Sequence, residues 1–410
     1  MEFYLFNPEH DMALASFSPY YKAPTEIIRM REDLAGLPVW YASRDALVWV
    51  PSFQYSVDFM HQCVFEGLHG CGKCCDGLLI SGDASSSELI ISPWGWDPAL
   101  VSYWKKMGVG DSLLPDVDQL ERIHVLSGRQ QCVRVLADFE GWDGICGEAV
   151  VCSTLDEVKD FLATHADVIL KSPWSGSGRG LTRTSLSTWT ANLEGWVSRI
   201  LRTQGSIMAE PIYNKVVDFA MEFHADPLNQ LSFAGYSLFE TDSHGNYKEN
   251  VLTSNEQIIG KLIQYVPLDL IEKVKTQLLL SLTALLGTDY TGYFGVDMMI
   301  CEVAGVYCIH PCVEINLRMN MGVVARLLYD RYMAAYSEGS YVVEHYSKDG
   351  EAVEHDRQLR EQYPPCVEAG KMVAGYFPLT PVTSVTRYQC YVICHQVATT
   401  QQTGCSESSI

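Results

Sequence analysis

Late in the chain, Val313-Glu314-Ile315-Asn316-Leu317-Arg318 alternates apolar and polar residues. In an extended strand the side chains point to opposite faces with a period of two, so Glu314, Asn316 and Arg318 share one face. Upstream, Asp297 sits in a second alternating run, between Val296 and Met298. Ala304-Gly305 separates the two runs and marks a hairpin turn. That turn pairs Asp297 with about Cys312 and makes Glu314 its diagonal neighbour. Pro311 cannot donate to a ladder, and a bulge there draws the two carboxylates closer. Two carboxylates and an amide oxygen suit Mg²⁺ (or Mn²⁺), a hard cation that completes its shell with phosphates and water. Arg318 beside them offers a planar fork for a phosphoryl oxygen or a carboxylate.

A second cluster lies earlier, in VILKSPWSGSGRG. A β-branched strand, Val168 to Lys171, runs into a loop holding Ser175, Gly176, Ser177, Gly178 and Gly180. Glycines let backbone N–H groups turn inward and cradle phosphate oxygens, and Lys171 adds a point charge for the same oxygens. Alone, this segment reads equally as an ordinary hairpin loop with a surface lysine.

The order of these parts is a lysine strand, a glycine loop, SIMAEPIYNKVVDFAMEF, an acid on a strand and then E-x-N-x-R. This arrangement resembles the ATP-grasp superfamily over roughly residues 125–330. The resemblance implies an α/β protein with α+β subdomains. A pre-grasp α/β domain (1–120) would precede a small subdomain (121–205) and a large subdomain with the Mg²⁺ site (206–336). Residues 337–410 would form an extension with no assigned role. It also implies that Lys171, Ser175, Gly176, Ser177 and Gly178 hold the ATP phosphates. Glu210, Pro211, Ile212 and Tyr213 would line the adenine edge, and Asp218 or Glu222 would meet the ribose. Asp297, Glu314 and Asn316 would hold Mg²⁺, and Arg318 would be the catalytic arginine. Two departures stand out. Arg129 occupies the place of a nucleotide-contacting lysine, which keeps the charge but changes the geometry. Lys248, in HGNYKEN, is the candidate for a further catalytic lysine, and reads equally as a solvated hairpin residue.

The implied activity is joining a carboxylate to an amine or similar nucleophile through an acyl phosphate. Phosphorylation of a small molecule, or nucleotide binding without turnover, are the alternatives. Small-molecule or peptide carboxylates and amines are the expected partners. Asn7, His10 and Asp11, after a first strand at Glu2 to Phe6, and Trp94, Trp96 and Asp97, after a later one, sit where a pre-grasp domain presents its substrate. For His10 alone, a structural histidine is the plainer reading.

The elements that position these residues follow from capping and periodicity. Asp116, Ser127 and Thr154 cap successive helices. Leu268 to Leu286 is a long amphipathic helix ended by Gly287. Strands are expected at 206–210, 217–224, 232–240 and 247–252, in the hairpin at 293–301 and 306–318, and at Leu78 to Ser81. Val323 to Tyr336 reads as helical. From Ser337 the chain reads as polar and irregular until a strand at 384–397.

The chain has 410 residues, 47% of them apolar, which is ample for packed cores and excludes a disordered chain. Its 50 acids and 29 bases leave a net charge of −21, which excludes a general nucleic-acid or anionic-membrane binder. No run approaches the roughly 18 apolar residues of a membrane helix. The N-terminus MEFYLFNPEHD lacks a basic leader region, so a cytoplasmic protein with reduced cysteines is expected. His61, Cys63, His69, Cys71, Cys74 and Cys75 offer tetrahedral zinc ligands. Without a second spaced Cys-x₂-Cys pair, they read equally as thiols in a glycine-rich loop.

Overall fold

The computed structural model describes residues 1–77, 89–175, 180–228, 230–241 and 247–397. The expected strand at 78–81, the loop residues Gly176, Ser177 and Gly178, and the tail from 398 lie outside the described residues.

Three sheets organise the chain. The first is wholly parallel, in the order β3-β2-β1-β4, and comprises β1 (Glu2–Leu5), β2 (Leu47–Trp49), β3 (Lys73–Cys75) and β4 (Ile90–Pro93). The second is antiparallel, in the order β5-β8-β6-β7, and comprises β5 (Val150–Cys152), β6 (Val168–Lys171), β7 (Leu181–Thr184) and β8 (Ile207–Pro211). The third holds β9 (Asn214–Ala225), β10 (Leu231–Thr241), β11 (Tyr247–Leu252), β12 (Gly292–Val303), β13 (Val306–Asn316), β14 (Ser337–His345), β15 (Cys366–Glu368), β16 (Lys371–Pro378) and β17 (Tyr388–Gln396). Its order is β13-β12-β9-β10-β11-β14-β17-β16-β15, antiparallel throughout.

The large sheet is two-faced because its strands alternate. Phe219, Met221, Phe223, Phe294, Val296, Met298 and Ile300 are all buried on one face. There they meet the helix Leu268–Leu286, whose Ile271, Val274, Leu278, Leu282 and Leu286 recur at helical spacing. Each such side chain, fully buried, stabilises by about 1.5–3 kcal/mol. The opposite face carries the rungs Glu222–Gly295–Asn316 and Ala220–Asp297–Glu314. Seating the hydrophobic stripe on the helix thus turns the acids the other way.

The region after Ser337 corrects the sequence expectation. It is not irregular: β14, the helix Glu351–Gln362 and β15 to β17 extend the large sheet by four strands. Tyr341, Met372, Phe377, Leu379, Cys390 and Val392 join one core with Phe6, Trp40 and Trp94 of the N-terminal domain. The Trp40 indole N–H donates to the Leu379 carbonyl at 2.6 Å. Polar residues of the region, such as Glu338 and Glu344, lie on the half-open face of these strands.

Candidate active site

The β12–β13 hairpin sets the site's centre. Met299 pairs with His310 and Asp297 with Glu314, so Met298 alone faces Pro311, Cys312 and Val313. This bulge, at the residue with no N–H to give, moves the register by two and brings Glu314 directly opposite Asp297 rather than diagonal to it. Burial, and next the charge of Glu314, push the Asp297 carboxyl up to about 7, while a hydrogen bond from Asn316 acts the other way. A cation bound beside Asp297 would relieve that strain.

Arg129 opens the helix Gln130–Ala137 and is buried. Its guanidinium donates to the Ser172 carbonyl at 2.7 Å, to Ser175 Oγ at 2.6 Å and to Glu314 Oε1 at 2.7 Å. It therefore joins the loop after Lys171 to the acid strand, a fork-shaped task that a lysine would perform poorly. Lys171, at the end of β6, pairs with Glu210 of β8 at 2.5 Å, and both are buried. Of the residues beyond Glu210, Pro211 ends β8, and Ile212 donates its N–H to the Asp167 carbonyl. Tyr213 stands edge-on to His310.

His310 escaped the sequence reading. It is fully buried, neither ring nitrogen has a partner among the described residues, and burial pushes it down to about 3. The Lys171 charge acts in the same direction. Its only sequence signal was adjacency to Pro311. Gly147 lies against its ring, with a positive φ and no space for a Cβ to settle without displacement.

Asp218 and Glu222 take different roles. Asp218 forms an ion pair with Lys215. Glu222 is buried and accepts from Asn320 Nδ2 at 3.1 Å, while Asn320 Oδ1 accepts from the Val323 N–H to cap the helix Met321–Tyr332. Burial pushes Glu222 up to about 8. A Cβ on Gly295 or Gly322 would collide with its carboxylate. Glu222 thus anchors the turn that carries Arg318 and is closed off from a ribose.

Arg318 reaches across to the N-terminal domain. Nε and Nη2 donate to the two carboxylate oxygens of Asp11, each at 2.7 Å. Nη2 also donates to Asn316 Oδ1 at 3.2 Å and Nη1 to the Met319 carbonyl at 3.0 Å. Burial alone would lower the guanidinium's pKa, but Asp11, with Glu314 and Asp297, together hold it above the usual value. Behind Asp11, Asn7 donates to the Gly95 carbonyl at 2.8 Å, and Asp97 caps the helix Pro98–Lys106 by accepting from Leu100. Burial pushes Asp97 up to about 7 and His10 down to about 4.

Lys248 stays outside this cluster. It stands on β11, four strands from Glu314, exposed and paired with Glu240 at 3.0 Å. The cysteines near residue 70 disperse as well. Cys63 is buried in the shared core, Cys71 Sγ meets Tyr332 Oη at 3.2 Å, and Cys74 and Cys75 lie on β3. No three His, Cys, Asp or Glu side chains converge as metal ligands among the described residues. Asp297 and Glu314 are two acids, and Asn316 supplies an amide instead. No helix among the described residues is long and apolar enough to cross a membrane.

No family model matches the chain, and no curated protein matches it in sequence. Solved structures do. Pyruvate carboxylase from Rhizobium etli, determined with acetyl coenzyme A, aligns with a TM-score of 0.50 at 12% identity, over 89% of this chain and 35% of that one. The N5-carboxyaminoimidazole synthetase of Staphylococcus aureus, complexed with ADP, aligns at 0.48 and 10% identity, over 97% and 93%. Biotin carboxylase from Campylobacter jejuni, in a β-γ-ATP complex, aligns at 0.48 and 11% identity, over 97% and 87%. The fold is that of the ATP-grasp enzymes. At these identities the likeness is one of architecture, a parallel N-terminal sheet followed by two antiparallel sheets. At the cleft of this chain, Ser175 follows the small sheet's β6, Arg129 precedes the helix Gln130–Ala137, Asp297, Glu314 and Asn316 come from the large sheet, and Asp11 comes from the N-terminal domain.

Proposed function

We propose that this protein is an ATP-dependent ligase that phosphorylates a carboxylate with the γ-phosphoryl group and passes the acyl group to an amine or similar nucleophile. ADP and phosphate leave. The observation that carries this reading is the Arg129–Glu314 contact, which places a buried guanidinium from the loop side against the acid pair of the large sheet. A nucleotide held between the sheets would meet cations on one side and metal-ligating acids on the other.

In this reading Lys171, Arg129 and the loop from Ser175 hold the α- and β-phosphates. Asp297, Glu314 and Asn316 would hold Mg²⁺ (or Mn²⁺), which, when bound, neutralises charge on the β- and γ-phosphates. The donor set fits that ion: three oxygen donors on adjacent rungs of one face, with the charge strain at Asp297 that a divalent cation removes. Arg318 stabilises negative charge on the migrating phosphoryl group or orients the acceptor carboxylate. Lys171 and Arg129 gain free donors for phosphate by exchanging Glu210 and Glu314 as partners.

The test is chromatography of nucleotides and products after incubating the protein with Mg·ATP, carboxylates and amines. ADP with a condensed product supports the ligase. ADP with a phosphorylated small molecule replaces it with a kinase. AMP as the main product overturns the mechanism, because the held α/β region would then be the region attacked.

A further inference from the structure

We propose that Cys146, Cys301 and Cys308 form an oxidation site, at which a hydroperoxide makes an intramolecular disulfide that ties the lead-in of the small sheet to the large sheet. The inference goes beyond the ligase reading and does not depend on it.

The fold brings the three thiols together from separate segments. Cys301 on β12 and Cys308 on β13 are directly paired across the hairpin. Residues so opposed share a face and have Cα atoms about 4.5–5.5 Å apart, inside the range of about 4.4–6.8 Å that a disulfide spans. The Cys146 thiol, from the segment before β5, hydrogen-bonds the Cys301 thiol. That segment is itself held on β13, the outermost strand of its sheet. The Ile309 N–H donates to the Gly144 carbonyl and the Cys146 N–H to the Ile309 carbonyl, each at 2.9 Å. Cys301 therefore has one thiol opposite it in the ladder and another from the segment docked on the sheet edge.

A second thiol pair shows what sets this site apart. Cys132 and Cys312 also hydrogen-bond, but both are sealed in the main core, at 2% and 1% exposure. An oxidant in solution does not reach them. Among Cys146, Cys301 and Cys308, only Cys301 is sealed, and the other two are half-buried. Burial, and next the neighbouring Cys146, push the Cys308 thiol up. It is thus a slower nucleophile than an acidic sensor thiol, and alkaline pH and millimolar peroxide favour its reaction.

The chemistry closes without a further reagent. The Cys308 thiolate attacks hydrogen peroxide, the O–O bond breaks, and Cys308 becomes a sulfenic acid as hydroxide leaves. The Cys301 thiol condenses with it, forming the Cys301–Cys308 bond and releasing water. Cys146 then attacks the Cys301 sulfur, and Cys308 leaves as a thiol. In sum, two thiols are oxidised, one peroxide is reduced, and two waters form. The resulting Cys146–Cys301 bond fixes the segment that leads into β5 of the small sheet onto β12 of the large sheet.

The experiment exposes the full chain to millimolar hydrogen peroxide, alkylates the remaining thiols and maps the peptides by mass spectrometry. The expected result is a linked pair of peptides carrying Cys146 and Cys301 that has lost its two thiol hydrogens, regenerated by dithiothreitol. Cys132 and Cys312 should stay alkylatable, and the exposed Cys366 reports that the oxidant was active. Amide exchange at Cys146 should slow by about tenfold or more, as a covalent tie against local opening requires. In Cys308→Ser the bond should form more slowly, because the accessible thiol is gone. In Cys146→Ser oxidation should stop at the Cys301–Cys308 bond, with circular dichroism as the folding control for each variant. Oxidation of Cys366 while Cys146, Cys301 and Cys308 all remain alkylatable overturns the proposal. So does a Cys132–Cys312 disulfide formed first, or a Cys146–Cys301 disulfide that leaves amide exchange unchanged.

Discussion

The two ends of the nine-stranded sheet share one antiparallel ladder but present opposite characters on the same face. At the β9–β12–β13 end that face carries Asp218, Asp297, Glu314 and Asn316, partly open to the cleft, with Glu222 buried beside them. At the β14–β17–β16 end it carries Tyr341, Cys390 and Val392, sealed into the core shared with Phe6 and Trp40. Asn250 lies at the seam, opposite Phe239 on one side and Tyr341 on the other, buried with both amide atoms unpartnered among the described residues. Strand propensity does not distinguish the halves. What packs over each does: an apolar lid accompanies aromatics, and an open cleft retains acids whose pairing partners arrive from other elements.

The largest effect that would break this comparison is on turnover. Arg318→Ala should lower kcat by about 10²–10³-fold, as expected for loss of a donor aimed at developing charge. Glu314→Gln should abolish Mg²⁺-dependent turnover while preserving a hydrogen-bond acceptor for Arg129, and steady-state kinetics measures both. Glu314→Ala is the poorer probe, since it strands the buried Arg129 guanidinium and couples folding to the loss. Wild-type activity in both Glu314→Gln and Asp297→Asn would refute the acid-pair assignment.

On the back of the sheet, Leu278→Ala should destabilise by about 2–5 kcal/mol in denaturant unfolding, because it opens a cavity in a sealed core. A loss below about 1 kcal/mol would mean that the helix does not hold the acid-bearing strands in place.

A third measurement reads His310 through pH. Its folded pKa, about 3, lies below the ordinary value of 6.5, so the unfolded chain binds its proton first. This residue therefore costs stability as pH falls from about 6.5 towards 3. His310→Asn removes that cost, and at pH 5 the variant should gain about 2 kcal/mol on the wild type relative to pH 8. A pH-independent difference in thermal unfolding would show that the imidazole is not buried neutral.

The smallest effect belongs to Lys248. Its pair with Glu240 is exposed on both sides, and Lys248→Ala should leave both stability and turnover near wild type. A large kinetic effect would extend the functional face to β11.

Periodicity and turn chemistry were readable without coordinates. The helix at 268–286 showed its apolar stripe and its terminal glycine, and the β12–β13 hairpin showed its turn, its proline and its alternating acids. Pairings over long sequence distances were not readable. Nothing local to Asp11 points to Arg318, and nothing near Arg129 points to Glu314, because each partner is chosen by the docking of separate sheets. The strand expected at 384–397 is present as β17, but β14 to β16 were missed for a related reason. They carry charge on a half-open face, and their apolar face is satisfied only by residues from the other end of the chain. Glu222 was legible as an acid on the right strand, but its engagement by Asn320 depends on a helix cap in another element.

The Trp40–Leu379 hydrogen bond also has a meaning in time. The two residues are 339 positions apart. During synthesis at 5–20 residues per second, Trp40 emerges roughly 20–70 s before Leu379 exists. Over that interval Phe6, Trp40 and Trp94 lack the lid that β14, β16 and β17 later supply. Folding of this domain during synthesis is therefore incomplete until β14, β16 and β17 are made. Until then its aromatic face stays open to contact with other nascent chains.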